Sequence, residues 1–280
     1  LVTPFNDDKS IDFQALENLL NYVISGGVNY LVLMGTTGES TTLSMTEKIE
    51  VFDFCKKIND GRLPIVLGIG GNDTMKVVSD IQSMQLEGVD AILSVSPSYN
   101  KPSQKGIYQH YKKISESSSL PIILYNVPGR TSSNISASTI VRLAVNFDNI
   151  VAVKEASGDM DQIMKILKNK PADFVVLSGD DALTLPMICV GAEGVISVIG
   201  QSHPENFSRM VSCALSGDYK TSNQLHYQLY DYYNPIYAEG NPVGIKACLE
   251  VLGICKAVVR SPLSEASNVI KEELKRLLNK

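Results

Sequence analysis

Short, continuously apolar runs recur along this chain and limit its fold more than any other feature: Tyr30–Met34, Pro64–Ile69, Ala91–Val95, Pro121–Tyr125, Ile150–Lys154, Phe174–Leu177 and Gly194–Val198. A strand with one wet face alternates apolar and polar residues, so unbroken runs of this length predict parallel strands covered on both faces. Segments of helical period lie between them, among them Asp12–Ser25, Thr46–Ile58, Thr74–Leu86 and Ala137–Val145. Leu1–Phe5 reads as the remnant of a first strand, which brings the expectation to eight strands and eight helices. Ser44 with Glu47 three residues on predicts a capping box at one helix start. No Pro/Gly/Ser-rich linker interrupts the series, so a closed (β/α)8 TIM barrel over residues 1–217 fits better than an open doubly wound sheet. Helical period then continues through Tyr219–Tyr233, Val243–Leu252 and Ser264–Leu278, which predicts a C-terminal helical appendage over residues 218–280.

Charge and composition remove several function classes. The formal net charge is −5, with 25 Lys+Arg against 30 Asp+Glu and no basic block, so no nucleic-acid partner is expected. The apolar runs are strand-sized, and no basic segment followed by an apolar stretch opens the chain, so neither a membrane span nor a leader is expected. An opening at Leu1-Val2-Thr3-Pro4 without Met reads as a start that has lost a few residues. The five cysteines (Cys55, Cys189, Cys213, Cys248, Cys255) form no C-x-x-C pair and read as buried small hydrophobes of a reducing cytoplasm. His110, His203 and His226 lie far apart without zinc-ligand spacing, so no catalytic metal is expected.

In a barrel of this kind the active site lies at the carboxyl ends of the strands. The unusual residues gather there: Gly35-Thr36-Thr37-Gly38-Glu39-Ser40, Gly68–Gly71, Ser98-Tyr99-Asn100, Tyr125-Asn126-Val127-Pro128-Gly129-Arg130-Thr131, Lys154-Glu155-Ala156 and Ser178-Gly179-Asp180-Asp181. Lys154 closes the apolar run Val151-Ala152-Val153. Loss of hydration at such a position favours the neutral amine, the form that attacks a carbonyl. A salt bridge to Glu155 or Asp180 is the plainer alternative. Tyr125 ends the preceding strand, where a phenol can shuttle protons for Schiff-base chemistry or simply pack. Arg130 can clamp a carboxylate with two parallel hydrogen bonds or sit solvated in its loop. The Gly35–Ser40 turn offers backbone N–H groups and hydroxyls to a small carboxylate, or is an ordinary strand-to-helix turn. The glycines of Gly68–Gly71 hint only weakly at phosphate, because the full G-x-G-x-x-G spacing is missing.

These motifs, with Asn241-Pro242-x-x-x-Lys246 near the end, resemble the dihydrodipicolinate synthase family in order and spacing over essentially the whole chain. The family is one of the pyruvate-dependent class I aldolases, which also include N-acetylneuraminate lyase. The resemblance implies condensation of pyruvate with L-aspartate-4-semialdehyde in diaminopimelate and lysine biosynthesis. It implies Lys154 as the Schiff-base lysine and Tyr125 as proton donor and acceptor. Thr36 would link Tyr125 to Tyr99 in a relay, with Tyr99 reaching across from a neighbouring subunit. Thr37 and the backbone of Ile196 would hold the pyruvate carboxylate, and Arg130 that of the semialdehyde. It further implies no metal or organic cofactor, a cytoplasmic enzyme and a homotetramer built as a dimer of dimers. Two departures stand out. The first aromatic of the family's tyrosine pair is here Ser98. Of the positions that bind feedback lysine in regulated members only Asn72 is kept, the others holding Lys76, Met45, Lys48 and Ser98, which implies weak or no inhibition by lysine.

Two rival readings stand beside this one: a retro-aldol lyase acting on a sialic or sugar acid, and a barrel that binds a keto acid without turnover. A proton relay of Lys154, Tyr125 and Thr36 is superfluous for binding alone.

Overall fold

The structure is a computed structural model that describes residues 1–279. In chain order it runs α1 (Phe13–Ser25), β1 (Leu31–Leu33), 3-10 turns at Thr36–Gly38 and Ser40–Thr42, α2 (Met45–Asn59), β2 (Ile65–Gly68), α3 (Thr74–Ser83), β3 (Ala91–Val95) and α4 (Gln104–Ser117). It continues through β4 (Ile122–Asn126), α5 (Pro128–Thr131), α6 (Ala137–Asn146), β5 (Ile150–Glu155), α7 (Met160–Asn169), β6 (Val175–Ser178), α8 (Thr184–Cys189) and β7 (Gly194–Val195). A 3-10 turn at Ile199–Gln201 precedes α9 (Pro204–Leu215), α10 (Tyr219–Tyr237), α11 (Val243–Val251) and α12 (Asn268–Leu278). The chain divides into two compact units, one spanning Ile65–Ile196 and the other combining Leu1–Pro64 with the described residues from Ser197 onward.

In the Ile65–Ile196 unit, β2 to β7 lie side by side in sequence order, every neighbouring pair parallel. Parallel neighbours need a crossover, and helices supply it between each strand and the next. The strands are apolar throughout because both faces are covered: Ile92, Ile122, Leu124, Val153 and Val176 are all fully buried. The helices bury one stripe each at helical spacing, such as Ile107, Tyr111 and Ile114 on α4 and Ile163 with Ile166 on α7. Asp73, Ser103, Ser136 and Asp159 start four of them by accepting hydrogen bonds from first-turn N–H groups.

The other unit holds β1, α1, α2 and the four helices α9 to α12. The capping box of α2 is formed, with Glu47 N donating to Ser44 Oγ and Ser44 N to Glu47 Oε2. The three helical segments predicted after residue 218 are present as α10, α11 and α12, although α10 runs four residues further, through an internal Pro235, to Tyr237, and α12 starts at Asn268 rather than Ser264.

Three expectations are corrected. Leu1–Phe5 forms no strand; its one ladder contact is an isolated antiparallel bridge from Phe5 to Ile11, so the described residues contain seven strands. The reason lies in its donors: the Leu1 amine goes to Val32 O at 2.7 Å, Val2 N to the Gln201 side chain at 2.6 Å, and Pro4 has none. The run Gly194–Val198 is a strand only over Gly194–Val195. Beyond it Ser197 Oγ accepts from Gly200 N at 2.8 Å and bends the backbone into the 3-10 turn. All five cysteines are free thiols, yet Cys189 is exposed and Cys213 half-buried. Cys213 lies off the buried stripe of α9, and Cys189 sits at the last turn of α8. No helix among the described residues is long and apolar enough to cross a membrane.

Candidate active site

Strand register decides which side chains meet. Tyr125 on β4 pairs with Lys154 on β5, and Asn126 pairs with Glu155. Side chains alternate along a strand, so Tyr125 and Lys154 share one face of the sheet while Asn126 and Glu155 share the other. Lys154 is only 8% exposed, and its Nζ lies 4.3 Å from the centre of the Tyr125 ring. Gly179 makes room for the lysine stem: a Cβ there would stand 3.0 Å from Lys154 Cε and 2.6 Å from the Ala156 Cβ.

The two acids that offered Lys154 a structural salt bridge are engaged elsewhere. Asp180 Oδ1 accepts from Ala182 N and Leu183 N. The Glu155 carboxylate accepts from Asn126 Nδ2, Gln162 Nε2 and Ser157 N. Burial pushes Glu155 above the usual carboxylate range, and these donors oppose the shift. Among the described residues Lys154 forms no ion pair.

Arg130 is exposed on the single turn α5, where Pro128 sets the first helical position. Tyr99 is 87% exposed with φ of +69°, and its N–H donates to Thr131 O at 3.2 Å, which ties it to the segment bearing Arg130. Ile196 is buried, and its N–H already donates to Ser178 O at 2.9 Å.

Thr36 and Thr37 belong to the other unit and begin a 3-10 turn, whose leading N–H groups have no partner within the turn. The Thr37 hydroxyl accepts from Asn241 Nδ2 at 2.8 Å. The next residues hold the turn down. Glu39, at φ of +53°, is buried and bonds Lys246 Nζ at 2.5 Å and Arg260 N at 3.0 Å. Thr3 Oγ1 donates to Gly38 O at 2.7 Å.

Sequence reasoning singled out Lys154, Tyr125, Tyr99, Arg130, Thr36, Thr37 and Ile196, weighed Glu155 only as a salt-bridge partner of Lys154, and gave no role to Asn126 or Asn241. The signal for the first two was present, because each directly follows a residue of the reactive pair and strand alternation sends it to the opposite face. Of the glycines in Gly68–Gly71, Gly70 answers to packing: a Cβ there would come within 2.8 Å of Val95 N.

The Ile65–Ile196 unit offers a buried amine, without an ion pair among the described residues, beside a phenol, with an arginine on the turn that follows the phenol in sequence; the other unit offers a threonine turn. Comparison with known proteins gives it a family. A family model for the dihydrodipicolinate synthetase family matches residues 1–280. A 4-hydroxy-tetrahydrodipicolinate synthase of Flavobacterium psychrophilum is 51% identical, covering 98% of this chain and 94% of the relative. One of Parabacteroides distasonis is 48% identical, covering 99% and 94%. The crystal structure of dihydrodipicolinate synthase from Aquifex aeolicus superposes with a TM-score of 0.96 at 39% identity, covering 100% of this chain and 95% of that one. With a match along its whole length and half its residues identical to a relative's, the chain belongs to the dihydrodipicolinate synthetase family.

Proposed function

We propose that this chain is a lyase of the class I aldolase type that condenses pyruvate with L-aspartate-4-semialdehyde, the 4-hydroxy-tetrahydrodipicolinate synthase reaction of diaminopimelate and lysine biosynthesis. The observation that carries the reading is Lys154, buried, without an ion pair among the described residues, and in register with Tyr125. In its neutral form this amine attacks the pyruvate ketone. The carbinolamine loses hydroxide as water once Tyr125 delivers a proton, leaving an imine. Removal of a methyl proton turns the imine into an enamine, whose carbon bonds to the aldehyde carbon of the second substrate. The amino group of that substrate then displaces Lys154 from the imine carbon, closing the ring and freeing the lysine.

The other groups surround this chemistry. Thr36 relays protons between Tyr125 and Tyr99. The exposed Tyr99 ring supports its reaching a neighbouring subunit in a homotetramer, since a large aromatic left in water favours burial at an interface. Thr37 and the leading N–H groups of its turn hold the pyruvate carboxylate, and Arg130 holds that of the semialdehyde. The fold is read as a barrel of the (β/α)8 type over residues 1–217, its first strand position taken by the Leu1–Phe5 segment without regular strand pairing, with a helical region over 218–280, a reading supported by the likeness to the Aquifex structure.

A coupled assay with pyruvate and aspartate-4-semialdehyde tests the activity. Borohydride added with pyruvate is expected to fix a stable adduct on the peptide holding Lys154; an adduct on another lysine, or turnover without any adduct, overturns the mechanism. Free lysine titrated into the same assay is expected to inhibit weakly or not at all, because Lys76 places a cation where a ligand ammonium would meet repulsion; strong inhibition at low lysine overturns this reading.

A further inference from the structure

Behind the reactive pair lies a set of side chains that the reaction itself does not use. Asn126 and Glu155 are fully buried on the sheet face opposite Tyr125 and Lys154. Glu155 receives Asn126 Nδ2 at 2.9 and 3.1 Å, Gln162 Nε2 at 3.1 Å and Ser157 N at 2.7 Å. Every one of these contacts is a donor, so the position calls for a group that only accepts, which an ionised carboxylate is and an amide is not.

The bonds continue outward to the Arg130 turn. Asn126 Nδ2 also donates to Asn134 Oδ1 at 2.8 Å, and Asn126 Oδ1 accepts from Ile135 N at 2.9 Å. Asn134 Nδ2 donates to Gln162 Oε1 at 2.8 Å, and Gln104 Nε2 grips Asn134 O at 2.7 Å. Between Asn126 and Asn134 lie Arg130 and Thr131, whose carbonyl holds the Tyr99 backbone. One hydrogen-bonded path thus runs from the strand that carries Lys154 to the segment that carries Arg130.

We propose that Glu155 is a positioning residue for the second substrate: through Asn126 and Asn134 it sets the Arg130 turn against the Lys154 strand, fixing where the semialdehyde carboxylate docks relative to the imine carbon. The inference rests on the roles given to Lys154 and Arg130 above. Two atoms about to form a bond must be held within roughly half an ångström of the productive geometry. A turn anchored at both ends to one buried carboxylate meets that demand without touching the substrate. Pyruvate is held by the imine itself and does not depend on the Arg130 turn.

Two variants test this, with separate KM values for each substrate and borohydride trapping of pyruvate as readouts. Asn134→Ala cuts the outer link at an exposed residue and leaves the donors to Glu155 in place. It is expected to raise the semialdehyde KM about tenfold while the pyruvate KM and the trapping at Lys154 stay as in the wild type. Glu155→Gln sets an amide NH2 against the donors of Asn126 and Gln162 and is expected to raise the semialdehyde KM further, again with trapping preserved. An unchanged semialdehyde KM, or an equal rise for both substrates, overturns the proposal. If Glu155→Gln does not fold, Asn134→Ala decides by the same criterion. Failure of the wild type to trap pyruvate at Lys154 strikes instead at the underlying mechanism, so the two failures are told apart.

Discussion

Lys154 and Lys246 are both withdrawn from water, at 8% and 0% exposure, but the protein treats their amines differently. Lys246 Nζ has an ion pair with Glu39 at 2.5 Å, a hydrogen bond to Val258 O at 2.8 Å, and the Phe5 ring 4.1 Å away. Its charge is matched and its donors are used. Lys154 has the Tyr125 ring 4.3 Å away and no ion pair among the described residues, while Glu155 beside it is turned to the other face and satisfied by amides. Burying a lysine costs free energy in either case. At Lys246 an anion offsets that cost and the residue becomes a rivet between the Glu39 turn and the C-terminal helices. At Lys154 no anion lies within ion-pair distance among the described residues, and the amine stands beside the Tyr125 ring instead, with no carboxylate occupying it. The difference between a structural and a reactive buried lysine therefore lies in the partner, not in the depth.

The largest effect that can break this comparison is on turnover. Lys154→Met is expected to reduce kcat by at least about a thousandfold, because no other group forms the imine. Its melting temperature is expected at or above that of the wild type, since the substitution severs no ion pair among the described residues. A Lys154→Met protein that melts well below the wild type would show the amine to be structural after all.

At Lys246 the expectation reverses. Lys246→Met leaves the Glu39 carboxylate buried with Arg260 N as its remaining partner, and losing one member of a buried pair costs about 3–5 kcal/mol of stability. Urea unfolding reads that loss directly. The folded fraction is still expected to trap pyruvate on Lys154, because its imine chemistry involves no group of the Lys246 cluster.

None of this contrast was legible in the sequence, where each lysine sits in an apolar stretch. The partner of Lys246 lies 207 residues away, beyond the reach of any local pattern. The pairing of Tyr125 with Lys154 was legible, because both close consecutive apolar strands and parallel neighbours bring matching ends together. The sheet was legible for the same reason, since strands covered on both faces announce themselves as unbroken apolar runs. The Leu1–Phe5 segment misled because its apolar residues suit a strand while its N–H groups bond to Val32 O and a glutamine side chain. The Glu155 cluster was hidden because Asn126, Asn134 and Gln162 are polar residues of loop-like character until strand alternation and the turn after β4 close them around one carboxylate.

The smallest effect sharpens the account of Lys246. If its role is to match a buried charge, removing both charges together must cost less than removing one. Glu39→Met with Lys246→Met takes away the ion pair and fills similar volume with apolar atoms, a change that in other buried pairs is often close to neutral. It cannot be wholly neutral here, because Glu39 Oε2 also receives Arg260 N, and Val258 O loses the lysine that bonds it. Orphaning buried backbone groups costs about 1–3 kcal/mol each when nothing replaces the bond. The double variant is therefore expected to lose less than Lys246→Met alone, which also orphans Val258 O and in addition leaves the Glu39 charge unmatched, and the double-mutant cycle to show a favourable coupling between the two sites. A double variant as unstable as the single one would mean that the tail is held by its backbone bonds and that the ion pair adds nothing. In that case depth and hydrogen bonding, rather than the anion, would separate Lys246 from Lys154.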